Sequence, residues 1–192
     1  IGLHESLLWG IIYPITYANL YANTAAYLAG EPLPHIVTQT FLQFGLYLGG
    51  SGGTLGLCIL LLRSTAKSLK KLGKIAAPAT FFQVNEPITF GVPVVFNPIL
   101  TIPFCLFPSL ASGATYLLMK YGIIGKTVVD VSTQVPPIIN IYMATAGNWP
   151  AIIWYCLLIV ASILMYLPFF RIFEAKRIKE EEEGLFDSLE SI

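Results

Sequence analysis

Charge is the scarcest property of this 192-residue chain. Only 11% of its residues are Asp, Glu, Lys or Arg, whereas 55% are hydrophobic, and the mean hydropathy is +0.70. Soluble domains carry about 25% charged residues, so the composition argues against a water-soluble protein and indicates a chain that spans a lipid bilayer. Each of the two Lys/Arg clusters follows a hydrophobic segment, which argues against nucleic-acid binding and predicts that both clusters are cytoplasmic.

Reactive cysteines and the familiar catalytic motifs are also lacking. The three cysteines lie in apolar runs without a CxxC pair, so buried packing is favoured over metal or redox chemistry, and no metal or cofactor is expected. The sequence contains no HExxH motif, and the glycine-rich residues 49–54 are not followed by the lysine of a phosphate-binding loop. Close packing, or a kink facing a transport path, is the favoured role of these glycines. Any bond-making must therefore use a substrate hydroxyl and a donor group brought by another molecule.

A single carboxylate interrupts the longest apolar stretch. Glu86 is the only charged residue among residues 75–119, which also contain six prolines. A charged side chain at membrane depth costs about 2.5 kcal/mol or more, so Glu86 is expected to be functional and to lie buried in a polar site. Prolines disrupt a straight spanning helix, and irregular backbone in a membrane must be covered by protein or line a cavity. Residues 76–98 are therefore predicted to form a re-entrant hairpin with its tip near Asn85 and Glu86.

Asn85 and Glu86 have the chemistry of a sugar-binding pair. A carboxylate tuned toward neutrality by burial can accept a proton from an alcohol or hold the alcohol by a hydrogen bond, and an amide offers both a donor and an acceptor. Glu86 could instead cap backbone groups freed by the prolines, but a neutral Gln or Ser would do this at lower cost, so function is favoured. His4 is a second candidate, although a lone histidine near a helix start is more often structural. The aromatic candidates for stacking on a sugar ring are Trp9, Phe81 and Phe82.

The other segments predict helices. Residues 149–170 form the clearest span, about twenty residues without charge, which is enough to cross the hydrocarbon at about 1.5 Å per residue. A solvated helix with i,i+4 ion pairs such as Lys176–Glu180 is predicted for the charged tail that follows. The remaining predicted helical segments are residues 7–28 (an imperfect span or a hairpin), 36–62 (one long glycine-rich helix) and 104–119.

The sequence around Glu86 resembles a known family signature. Residues 82–93 read Phe-Gln-Val-Asn-Glu-Pro-Ile-Thr-Phe-Gly-Val-Pro, and Phe-Asn-Pro follows at residues 96–98. This block is similar to the signature of the membrane-embedded IIC permeases of the bacterial phosphoenolpyruvate-dependent sugar phosphotransferase system, in particular their lactose/cellobiose (diacetylchitobiose) branch. The Gly-Leu-His element at residues 2–4, the glycine-rich residues 49–57 and the Tyr-Leu-Pro-Phe-Phe run at residues 166–170 also fit.

The resemblance implies that this chain is the C-terminal transport half of a longer permease. Residues 1–170 would then be an all-α integral membrane domain, a polytopic bundle with re-entrant hairpins and broken helices, and residues 171–192 a cytoplasmic tail. Glu86 and His4 would contact the hydroxyl that is phosphorylated, and Asn85 would bind the sugar. The implied partners are a disaccharide or β-glucoside, a IIB protein with a phosphorylated cysteine, the bilayer of the bacterial cytoplasmic membrane, and a second permease copy bound through the N-terminal half.

Two functions of other classes remain open from the residues alone. A proton-coupled secondary transporter could use Glu86 as its coupling site, because broken helices and a midplane carboxylate occur in both kinds of carrier. Such a carrier would release its sugar chemically unmodified. An orphan half-permease could instead act as a non-transporting assembly or sensory subunit.

Overall fold

Seven α-helices form the part of the chain that the computed structural model describes, residues 6–184. They are α1 (Ser6–Ala29), α2 (Leu55–Leu62), α3 (Lys67–Phe81), α4 (Glu86–Gly91), α5 (Pro98–Lys120), α6 (Pro137–Ala144) and α7 (Trp149–Glu182). Two short 3-10 helices, Thr40–Phe44 and Val94–Phe96, complete the secondary structure, and residues 6–184 contain no β-strand. The predicted all-α fold is confirmed.

Among the described residues, α5 and α7 are long and apolar enough to cross a membrane. α7 keeps one stripe of side chains in the core and turns other apolar side chains outward. The buried stripe includes Tyr155, Leu158, Ser162, Tyr166 and Phe170, and the exposed side chains include Ile153, Leu157, Val160 and Leu164. Large exposed apolar surface requires lipid or protein against it rather than water. The helix therefore has the surface expected of a membrane bundle.

The prediction of one long helix over residues 36–62 is wrong. The chain forms the 3-10 helix Thr40–Phe44, an irregular glycine-rich segment, and then the eight-residue α2. We call residues 48–53 the glycine loop. Four of its residues, Gly49, Gly50, Gly52 and Gly53, have φ between +67° and +104°. This left-handed region is open to glycine at little cost but is incompatible with a right-handed helix, so the helix breaks here.

Prolines interrupt the helices less than predicted. Internal prolines include Pro14 in α1, Pro103 and Pro108 in α5, and Pro168 in α7. α1 is accordingly one continuous helix rather than a hairpin, since in a bundle neighbouring helices and hydroxyl groups re-satisfy the freed carbonyls. The predicted hairpin is present in outline: α3 packs against α4, and the turn at residues 82–85 leads directly into Glu86.

Two carboxylates of α7 bind the start of α3. Glu174 Oε1 accepts a hydrogen bond from Ser64 Oγ at 2.6 Å, and Glu181 accepts from the backbone N–H groups of Lys67 and Ser68 at 3.0 and 2.8 Å. Carboxylates in this position satisfy free N–H groups at a helix N-terminus and complement its dipole. These contacts bring both basic clusters to one end of the molecule, in agreement with the positive-inside rule.

α7 runs without a break past residue 170, the predicted boundary between the membrane domain and the tail. Lys176 Nζ lies 3.9 Å from Glu180 Oε1, so the predicted i,i+4 ion pair is present. The division of function at this boundary stays a prediction, because the helix itself is continuous.

Candidate functional site

Asn85 is held at the start of α4 through its side chain and its backbone. Its Nδ2 donates a hydrogen bond to the carbonyl of Ser51 in the glycine loop at 2.7 Å. Its own carbonyl accepts from the backbone N–H groups of Ile88 and Thr89, each at 2.9 Å. The residue is only 7% exposed. Because a side-chain amide has two N–H groups and one oxygen, the bond to Ser51 orients the amide and leaves one N–H and the oxygen for a ligand.

The close approach of the glycine loop to Asn85 requires glycine at position 50. A Cβ on Gly50 would lie 2.5 Å from both Cβ and Cγ of Asn85, and φ is +104°. On another side of the loop, a Cβ on Gly52 would lie 2.3 Å from the ring of Phe104. The glycines do permit close approach, but in an irregular loop rather than in the predicted helix, and their contact with Asn85 was not visible in the sequence. The only sequence signal for this contact was that the glycine-rich run and the Asn-Glu-Pro block both fit the signature of one family.

Glu86 directly follows Asn85 and is the first residue of α4. Its side chain is exposed on the surface of the described chain. The prediction that Glu86 is buried is therefore wrong for residues 6–184, because α4 turns this position away from the core formed by α2, α3 and α7. An exposed carboxylate beside an oriented amide can still meet a ligand that approaches this surface.

Gln83 precedes the pair in a strained backbone conformation. Its φ is +63°, a left-handed conformation that costs a non-glycine residue about 1–2 kcal/mol. The N–H groups of Gln83 and Val84 donate to the carbonyls of Thr80 and Ala79, both at 3.0 Å. This is a Schellman ending of α3 with glutamine where glycine is usual. The side chain accounts for the exception, because Gln83 Nε2 donates to the carbonyl of Val135 at 3.1 Å.

Three buried amides hold the loop before α6. Besides Gln83, Gln43 Nε2 donates to the carbonyl of Val131 at 3.0 Å and Asn140 Nδ2 to that of Ser132 at 2.7 Å. Within residues 6–184, all three amides leave their side-chain oxygens buried without a hydrogen-bond partner. A buried acceptor without a partner is costly, so these oxygens are suited to donors such as the hydroxyl groups of water or of a ligand. Sequence reasoning assigned them no role in a site, although polar residues in apolar segments were the available signal.

The aromatic candidates lie in two places. Trp9 stacks on Tyr13 with 5.0 Å between ring centroids and lies 6.0 Å from the ring of Tyr47, which directly precedes the glycine loop. Phe81 and Phe82 are about half exposed and pack edge to face at 5.4 Å. Both groups are therefore adjacent to segments that build the Asn85 site, one beside the glycine loop and one at the end of α3.

His4 lies outside the described residues, so its place beside Asn85 and Glu86 stays a prediction. Across residues 6–184, no group of three His, Cys, Asp or Glu side chains comes close enough to hold a metal ion. The described site offers hydrogen-bonding groups, the amide of Asn85 and the exposed carboxylate of Glu86.

Comparison with known proteins identifies the family. A family model described as "Phosphotransferase system, EIIC" matches residues 1–108, more than half of the chain. The chain belongs to this family. The lichenan permease IIC component of Bacillus subtilis (strain 168) is 39% identical to this EIIC chain over 185 residues, which are 95% of the chain and 41% of the relative. The lactose-specific EIICB component of Staphylococcus aureus (strain N315) is 34% identical over 190 residues, 98% of the chain and 33% of the relative.

A solved structure confirms the fold of this EIIC chain. The crystal structure of the transporter ChbC, the IIC component from the N,N'-diacetylchitobiose-specific phosphotransferase system, superimposes with a TM-score of 0.91 at 31% identity. The match covers 95% of this chain and 43% of that one. The chain thus has the fold of a helical membrane transporter and spans about two fifths of the length of most relatives that it matches.

Proposed function

We propose that this EIIC chain forms the sugar-binding part of a permease that carries a disaccharide or β-glucoside across the bacterial cytoplasmic membrane for phosphorylation by a IIB protein. The observation that carries the proposal is the pair at the start of α4, where the Ser51 carbonyl holds Asn85 at 2.7 Å and Glu86 presents its carboxylate next to it. The names of the relatives, which include lichenan, lactose and diacetylchitobiose, favour β-linked sugars.

Asn85 orients the sugar and Glu86 accepts the proton. The remaining N–H and the oxygen of the Asn85 amide bind neighbouring sugar hydroxyls, which directs one hydroxyl toward Glu86, with His4 as a second contact. The carboxylate takes the proton of that hydroxyl while the hydroxyl oxygen of the sugar attacks the phosphorus of the IIB phosphocysteine. The new O–P bond forms as the S–P bond breaks, and the cysteine leaves as a thiolate. The charge of the phosphate then opposes return of the sugar through the bilayer.

The partners meet different surfaces of the chain. The phosphoryl donor would dock at the basic end, where the segment before α3 contacts the end of α7. The name of the S. aureus relative, EIICB, supports a B component as that donor. Lipid and the N-terminal half of the permease, through which a dimer would form, would cover the exposed apolar side chains of α1, α5 and α7.

The test uses the complete permease in inverted membrane vesicles, supplied with phosphorylated IIB and radiolabelled cellobiose or lactose. The wild-type permease should produce sugar phosphate. Glu86→Gln should lower the rate about 100-fold or more while the protein remains in the membrane, because proton transfer by a positioned side chain contributes about 10²–10⁴-fold. Glu31→Gln is the matched control, because Glu31 is an exposed glutamate in the turn after α1, and it should not change the rate.

Three results would contradict the proposal. Normal production of sugar phosphate by Glu86→Gln would refute the role of Glu86. Accumulation of unmodified sugar that collapses with the proton gradient would identify a secondary transporter with Glu86 as its coupling carboxylate. A correctly inserted wild-type permease that neither takes up nor phosphorylates sugar would favour an assembly or sensory role.

A further inference from the structure

Every carbonyl of the glycine loop accepts a hydrogen bond, although the loop has no regular secondary structure. The donors to the carbonyls of residues 48 to 53, in order, are Leu55 N (3.1 Å), Thr54 Oγ1 (3.0 Å), Gly53 N (3.2 Å), Asn85 Nδ2 (2.7 Å), Tyr166 OH (2.8 Å) and Ser162 Oγ (2.7 Å). The carbonyl that binds Asn85 is therefore followed directly by two carbonyls bound from α7. Complete pairing of this kind is what a buried, irregular backbone needs in order to keep one conformation.

The two donors from α7 form one buried face. Ser162 and Tyr166 are four residues apart, which places them above one another on a helix, and both are 0% exposed. A phenylalanine at position 166 would fill the same core volume without the cost of burying a hydroxyl. The hydroxyl of Tyr166 is thus accounted for by its bond to Gly52, because a buried polar group without a partner costs about 1–3 kcal/mol.

The glycine loop has no free space in which to adjust. The ring of Phe104 lies 2.3 Å from the position of a Cβ on Gly52, and a Cβ on Gly50 would lie 2.5 Å from Asn85. Ser51 lies between these two contacts, and its carbonyl directly precedes that of Gly52, so we expect a shift at the Gly52 carbonyl to displace the peptide group that holds Asn85. Close-packed interiors transmit such displacements rather than absorb them.

We propose that Tyr166 and Ser162 are positioning residues of the sugar site. Their hydroxyl groups hold the carbonyls of Gly52 and Gly53, these set the direction of the Ser51 carbonyl, and that carbonyl orients the amide of Asn85 beside Glu86. α7 thereby controls sugar affinity without touching the sugar. The effect on affinity rests on the proposed function, whereas the link from α7 to Asn85 rests on the hydrogen bonds alone.

Tyr166→Phe in the complete permease tests the proposal, because it removes the hydroxyl and keeps the ring. The KM for sugar should rise about twofold to tenfold, the fold-change of one neutral hydrogen bond, while kcat at saturating sugar should fall far less than in Glu86→Gln, because the carboxylate that takes the proton is unaltered. Ser162→Ala, which removes the neighbouring bond, should raise KM in the same way. Tyr155→Phe is the matched control: Tyr155 is equally buried in α7 but packs on Phe44, so KM should not change.

Hydrogen–deuterium exchange of the solubilised permease without sugar supplies a readout that does not depend on transport. Tyr166→Phe should raise exchange both in residues 48–53 and in residues 84–89, whereas Tyr155→Phe should raise neither. Increased exchange confined to residues 48–53 would overturn the link to Asn85, and an unchanged KM in both the Tyr166 and Ser162 variants would overturn the effect on affinity. Absence of sugar binding by the wild type would refute the proposed function. The exchange experiment would still show whether Tyr166 is coupled to Asn85 through the glycine loop.

Discussion

Alanine at Gly56 should destabilise the bundle, whereas alanine at Gly113 should stabilise it. Both glycines lie inside helices, Gly56 in α2 and Gly113 in α5. A Cβ on Gly56 would lie 2.3 Å from Ser162 Oγ and 2.6 Å from the backbone nitrogen of Ile163, so α2 and α7 would have to separate. At Gly113, no atom of the described chain outside the two flanking residues and the adjacent backbone of α5 lies within 4 Å of the added Cβ. The two substitutions therefore differ chiefly in what surrounds the new methyl group, although Gly56 also lies nearer a helix start, as the second residue of α2.

Opposing contributions set the change in the free energy of unfolding that each substitution causes. Replacing glycine by alanine in a helix interior stabilises by about 0.5–1 kcal/mol, as at Gly113, and the gain is at most this at Gly56, the second residue of α2. At Gly56, overpacking costs about 1–3 kcal/mol. Displacement of Ser162 Oγ also weakens its hydrogen bond to the Gly53 carbonyl, which is worth about 0.5–1.5 kcal/mol. The net expectation is a loss of about 0.5–4.5 kcal/mol for Gly56→Ala and a gain of about 0.5–1 kcal/mol for Gly113→Ala.

Thermal unfolding of the complete permease in detergent measures this difference. A change of 1 kcal/mol shifts Tm by about 2–4 °C in a domain of 150–250 residues. The Tm of Gly56→Ala should therefore fall by several degrees, and that of Gly113→Ala should stay level or rise. Equal Tm values for the two variants would refute the reasoning that α2 and α7 approach each other only because position 56 lacks a side chain.

Two further predictions concern the turn before α4 and the start of α3. Gln83→Gly should raise the Tm, because glycine relieves a left-handed conformation that costs about 1–2 kcal/mol, yet it should raise the sugar KM through loss of the hydrogen bond to Val135. Gln83→Ala should raise the sugar KM without the gain in Tm. Equal Tm values for the two variants would contradict the account of backbone strain at Gln83. Glu174 lies beyond the apolar part of α7; partial burial raises its pKa, but hydrogen bonds from Ser64 and Thr65 outweigh this and lower it below the usual 4.5. Its stabilising contribution is complete above the usual pKa and is lost as pH falls through the lowered value. Glu174→Gln should therefore cost less than about 1 kcal/mol at neutral pH, since solvent screens a partly exposed group. It should also flatten the acid limb of a plot of Tm against pH, and an acid limb like that of the wild type would contradict this.

The class of the protein followed from the sequence by itself, and the sequence also supplied the candidate site, which stays a prediction. Scarcity of charge is a property of the composition, and long apolar runs are contiguous in the sequence. Both therefore indicate a membrane protein whatever the topology. Glu86 stands out because an ionisable residue in an apolar stretch is a local anomaly, and the signature around it is contiguous. The same locality explains why the helix in residues 149–170 was predicted correctly, since nothing beyond its own apolar length was needed.

Only the tertiary structure decided which residues support that site. The glycines of residues 49–53 are equally compatible with close helix packing and with a left-handed loop, and the positions of Asn85 and Phe104 are what select the loop. Exposure of Glu86 likewise depends on the direction in which α4 leaves the turn. Ser162 and Tyr166 lie 109 and 114 residues from the carbonyls that they bind. No local pattern carries information over such a separation, because these contacts exist only once α7 has packed against α2.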